Sequence, residues 1–147
     1  MAMTTALTLV ANRIMYPEII IRSVVSLTSN LIYSVKYLAS ISKTDFELQK
    51  LLATTDILHD IIVIKSFIEE KDKTGHTLDV CIENLNETLS ELELNISSIT
   101  SKIENHNKLW FNYFRSYNIT TEKEQIPFLI EKLKHRFDLL IKIKSVM

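Results

Sequence analysis

Between Leu78 and Ile103, large aliphatic residues recur at alternating steps of four and three: Leu78, Ile82, Leu85, Leu89, Leu92, Ile96, Ile99 and Ile103. Such spacing is a seven-residue repeat, and on a helix it aligns all of these side chains along one stripe. At roughly 1.5 Å per residue the stripe is about 40 Å long. A helix cannot bury a stripe of that length by itself, so it must lie lengthwise against others. The ladder predicts a bundle of long helices and says nothing about a reaction.

Glycine usage points the same way. The chain of 147 residues holds one glycine, Gly75, and two prolines, Pro17 and Pro127. Sandwiches, barrels and doubly wound sheets need many tight turns, and glycine supplies most of their positive-φ positions. The same scarcity removes the glycine-rich phosphate loop, the dinucleotide fingerprint and the nucleophile elbow. A lone Cys81 excludes an internal disulfide framework and a cysteine-rich zinc site, and its place beside Ile82 suits a buried apolar role. The length fits one domain, residues 1–147. A net charge of −1 gives no general attraction to nucleic acid. Abundant Ile, Asn, Lys and Ser beside scarce Gly and Pro is also what an AT-rich genome, such as that of a large DNA virus or a parasite, produces.

Four apolar stretches can be traced. Pro17 suits a helix first turn, with Glu18 near the positive end. From there Ile20, Val24, Leu27, Leu31, Val35 and Leu38 form a stripe, and residues 4–15 form a short extra helix or a leader. A second helix is expected from a capping box, Thr44-Asp45-Phe46-Glu47, through Phe46, Ala53, Ile57, Ile61, Ile64 and Ile68 to about Lys71. Lys71 to Gly75 is the clearest loop. The ladder follows, and beyond Ile103 its register reaches His106, Trp110, Tyr113 and Tyr117, so the helix either continues with a bulky end or breaks at Asn105-His106-Asn107. The last helix is expected to begin near Glu124–Ile126, with Pro127 in its first turn and a stripe of Ile126, Ile130, Leu133, Phe137 and Leu140. The prediction is all-α: an up-down-up-down four-helix bundle of long amphipathic helices.

Charge divides unevenly. The third stretch carries Asp79, Glu83, Glu87, Glu91, Glu93 and Glu104, whereas the fourth carries Lys132, Lys134, His135, Arg136, Lys142 and Lys144. Either the two helices attract along their flanks, each exposed pair adding under about 1 kcal/mol, or the basic helix offers a face to lipid phosphates or an acidic partner. Trp110, Phe111, Tyr113, Phe114 and Tyr117 form the densest aromatic patch, suited to filling one end of a bundle or, if exposed, to a membrane interface or a partner. Asp56, His59 and Asp60 share about one and a half helical turns. That spacing could present one edge of a metal site, but the Glu-x-x-His pattern of carboxylate-bridged bundles is missing, and a solvated flank is the expectation. Ile19–Val35 is apolar enough to consider as a membrane span, yet Arg22, Ser23, Ser26, Thr28, Ser29 and Asn30 favour an inner bundle helix.

From Cys81 to Ile143 the chain resembles the cell-death four-helix bundle, the N-terminal module of mixed-lineage-kinase-like pseudokinases, related to fungal HeLo domains. The resemblance rests on Leu85-Asn86-Glu87-Thr88-Leu89-Ser90-Glu91-Leu92, the aromatic knot Trp110–Phe114, and the closing helix Leu129-Ile130-Glu131-Lys132-Leu133 to Leu139-Leu140. It implies an oligomerising bundle that engages anionic lipid and permeabilises membrane. The chain departs from that pattern in its first half, where Arg13, Arg22 and Lys36 are the only cations before Lys43. The resulting expectation is a non-enzymatic interaction or assembly module with no cofactor, no metal, no nucleic acid and no small-molecule substrate. Its partners would be another protein, a second copy or an anionic membrane surface. Arg13, Glu18 and Arg22 interrupt the early apolar run, so no signal peptide is read and a cytoplasmic, peripheral-membrane or particle-associated location is expected. The alternative is a structural subunit, a minor component of a large assembly such as a virion.

Overall fold

The computed structural model describes residues 17–69, 76–108 and 117–146, and over these the chain is all-α. The helices are α1 (Pro17–Ile41), α2 (Phe46–Thr54), α3 (Ile57–Glu69), α4 (His76–Asn107) and α5 (Thr120–Ser145). The ladder is the spine of α4. From Ile82 to Ile103 every rung is buried, each no more than 2% exposed, in a helix of 32 residues, about 48 Å long. The Leu78 side chain, the extra N-terminal helix and the loop before His76 lie outside the described residues.

Side-chain pairs set the relative directions of the helices. On α4 and α5, Glu91 meets Lys132 and Lys102 meets Glu122, so these helices run antiparallel. Tyr37 near the end of α1 bonds Glu104 near the end of α4, so α1 and α4 run parallel. Asp60 meets Lys134 and Phe67 meets Phe137, so α3 and α5 run parallel too. With α1 and α3 antiparallel, the directions alternate up, down, up, down. The packing order differs from the chain order. α4 packs along both α1 and α5, α1 packs along α3, and α3 touches α5. Consecutive α3 and α4 therefore sit across a diagonal. Two helical hairpins, α1–α3 and α4–α5, are docked with α1 against α4.

Local details depart from the sequence reading in three places. The expected second helix is two. Its break falls at Thr55-Asp56, where Asp56 takes φ of 55° and its carbonyl accepts the Asp60 N–H to start α3. Asp56 fills a left-handed role usually given to glycine, which its short polar side chain tolerates. The cap of α2 is Asp45 rather than Thr44, because the Asp45 Oδ1 accepts the Leu48 N–H at 3.0 Å. Glu47, the other half of the expected capping box, instead pairs with Lys123 of α5 at 2.8 Å. Finally, α5 begins at Thr120, about two turns before Pro127. Asn118 Oδ1 accepts the Thr120 N–H and the Ile119 carbonyl accepts the Lys123 N–H, which starts the helix early. Pro127 then lies on the exposed side, where water can serve the carbonyl it leaves unbonded.

Candidate interaction faces

The six basic residues of α5 share no single face. Lys132 turns to α4 and pairs with Glu91 at 3.2 Å. Arg136 turns the same way: its Nη1 donates to the Asn84 carbonyl and to the Thr88 hydroxyl, both at 2.7 Å, and lies 3.8 Å from Glu87. Thr88 is fully buried and half-buried Arg136 supplies its partner, so this contact satisfies polar groups inside the seam. Lys134 faces α3 and lies 3.7 Å from Asp60. His135 and Lys142 are exposed and interleaved with exposed Glu131 and Asp138, and Lys144 is half-buried.

A polar cluster gathers where α1 and α4 end and α2 and α5 begin. Tyr37 donates to Glu104 at 2.6 Å and Tyr117 donates to Asp45 at 2.6 Å, while Lys102 pairs with Glu122 at 2.6 Å. His106 sets its ring edge against Tyr117 at a centroid distance of 5.0 Å. Burial first, then the bonded Asp45 carboxylate, pushes the Tyr117 hydroxyl well above the tyrosine range. The Glu104 hydrogen bond raises Tyr37, Lys102 lowers Glu122, and Glu47 raises Lys123. Tyr117 thus ties the start of α5 to the cap of α2. The rest of the aromatic patch, Trp110, Phe111, Tyr113 and Phe114, lies outside the described residues. Cys81 is buried, and burial pushes its thiol up.

Between α3 and α5 lies an open cavity of about 250 Å³, with Val63, Ile64, Leu133 and Phe137 as apolar lining and His59, Asp60, Lys134 and Asp138 as polar lining. Among the described residues no group of three or more His, Cys, Asp or Glu side chains is placed to hold a metal ion, and no helix is long and apolar enough to cross a membrane. Asp56 sits in the α2–α3 break, His59 is exposed and Asp60 is engaged by Lys134.

Periodicity alone did not single out one face. The Tyr37–Glu104 bond sets α1 and α4 in a register of about 67 residues. In that register two runs without charge lie level: residues 23–35, between Arg22 and Lys36, and residues 94–101, between Glu93 and Lys102. Tyr33 and Leu94 stand out of this surface, each 72% exposed. Ser26, Asn30, Ser97 and Ser101 are exposed around them. The Tyr33 ring lies parallel to that of Tyr37, with centroids 6.5 Å apart. The signal was present in the sequence in Ile19–Val35, the stretch considered as a membrane span, which carries no charge beyond Arg22.

No family model matches the chain, and no solved structure matches it. It is similar to an uncharacterized protein of Acanthamoeba polyphaga mimivirus, with 32% identity over 130 residues. The matched region is 88% of this chain and 56% of that protein, so the chain spans little more than half the length of this viral relative.

Proposed function

We propose that this protein is a non-enzymatic helical assembly module that works through protein contacts on the outer surface of its bundle. The observation that carries the reading is the level pair of charge-free runs on α1 and α4 with Tyr33 and Leu94 exposed between them. Depletion of charge around an exposed aromatic is the compositional mark of a protein interface core. The alternative use, attachment to anionic lipid through α5, has less to work with. Lys132, Lys134 and Arg136 already face acidic groups of α4 and α3. The viral origin of the relative supports a role as a structural subunit of a larger assembly.

Dye release and co-flotation with vesicles, anionic against neutral, separate the two uses. The assembly reading expects neither leakage nor flotation with either composition. Leakage confined to anionic vesicles and suppressed by salt would overturn it in favour of a membrane-permeabilising bundle of the cell-death type.

A further inference from the structure

We infer that the charge-free face of α1 and α4 is a self-association surface, and that its occupant is the same face of a second copy. The inference rests on the assembly reading and names the partner. In a two-fold interface each group meets its own equivalents, so a face bearing one sign of charge repels itself. Any face with unbalanced charge has that defect. The Tyr33–Leu94 face does not, and its serine and asparagine side chains both donate and accept hydrogen bonds, so the surface complements itself.

Its geometry also suits doubling. In the α1–α4 register Leu94 lies level with Leu27, about six residues from Tyr33 along the bundle, or roughly 9 Å. The two residues are on adjacent helices, too far apart to shield each other from water. A two-fold axis passing across the face midway between them, with the copies antiparallel, places both tyrosines and both leucines in one cluster. Ser26, Asn30, Ser97 and Ser101 then form its rim. Where the two runs lie level, residues 27–34 beside 94–101, the patch is about 12 Å long and roughly 20 Å across, about 240 Å² per copy, under a third of what a stable dimer uses. The dimer is therefore weak and dynamic, and becomes significant when copies are held at high local concentration.

Sedimentation equilibrium of the full chain from about 5 μM to 1 mM, on wild type and on Tyr33→Glu/Leu94→Glu, tests this. Wild type should dimerise reversibly, and the double variant should weaken dimerisation at least about 100-fold because like charges meet at the centre. Both sites are exposed, so helicity and Tm should stay unchanged; Ser26→Lys/Ser97→Lys is the second variant should the first fold poorly. A wild type that stays monomeric to 1 mM overturns the inference. So does a dimer that survives both variants, since it must use another face, although that result leaves the assembly reading standing. Failure of the assembly reading is seen separately, in the vesicle experiment.

Discussion

At Arg136 one guanidinium nitrogen reaches two acceptors on α4, a main-chain carbonyl and a buried hydroxyl. Removing it leaves them only the bond they share, from the Thr88 hydroxyl to the Asn84 carbonyl at 3.2 Å, at a packed seam. Arg136→Ala should therefore lower stability by about 2 kcal/mol in urea unfolding, and Arg136→Lys should recover only part, because an ammonium is more strongly hydrated than a guanidinium and harder to seat in the seam. Lys142→Ala, at an exposed position, should stay within about 0.5 kcal/mol. The sequence had grouped these residues as one basic face. Successive residues on a helix turn by about 100°, so Lys132, His135 and Arg136 fall on one side of the helix and Lys134 on another. That much was legible, whereas the acidic partners on α3 and α4 were not, because they depend on which helices become neighbours. The titrating groups give the pH window. Tyr117, Tyr37 and Lys123 are raised in the folded state, so the stability they confer is present below their ordinary values, 10.0 for the tyrosines and 10.5 for the lysine, and is lost as pH climbs through the folded values. Glu122 is lowered, so its share is present above 4.5 and is lost as pH falls through the folded value. Thermal melts should show a plateau at intermediate pH with a decline above about pH 10. Tyr117→Phe should be less stable at neutral pH and show a shallower alkaline decline.

Helices obey periodicity only where nothing local competes. The ladder was readable because α4 repeats one spacing along its core stripe, and each described rung, from Ile82 to Ile103, is buried as expected. Leu92 is fully buried in its middle, so Leu92→Asp should unfold the protein, seen as loss of helical circular dichroism, because burying a carboxylate in an apolar core is very costly. The division of α2 from α3 was not readable, because an aspartate rather than a glycine occupies the positive-φ position. Glycine adopts that conformation without the steric cost of a Cβ. Asp56→Gly should thus raise the unfolding midpoint by up to about 1 kcal/mol equivalent, and Asp56→Val should lower it by about 1–2 kcal/mol. The early start of α5 was hidden for the opposite reason: Pro127 is a strong helix-start signal, and it was outweighed by the contacts that fasten residues 117–123 to α2 and α4.

The whole molecule is two hairpins joined along α1 and α4, and sequence pattern could give the hairpins but not the joint. Short connections predict which helices fold back on each other. They do not reveal that α3 and α4 end on opposite corners, since stripe width alone does not say which neighbour fills which side. The Tyr33–Leu94 face escaped notice for the same reason: its two uncharged runs are 67 residues apart in register and meet only once α1 lies beside α4. That joint has one further consequence. The halves 17–69 and 76–146 meet through side chains, with Tyr37, Asp45 and Glu47 of one bonded to Glu104, Tyr117 and Lys123 of the other. A backbone cut between residues 70 and 75 should therefore leave a nicked protein whose fragments elute together from a sizing column. Separated by denaturant and mixed again, they should regain helicity at a rate that grows with concentration. The chain would then behave as a split protein, whose covalent link sets how fast the halves meet more than whether they recognise each other.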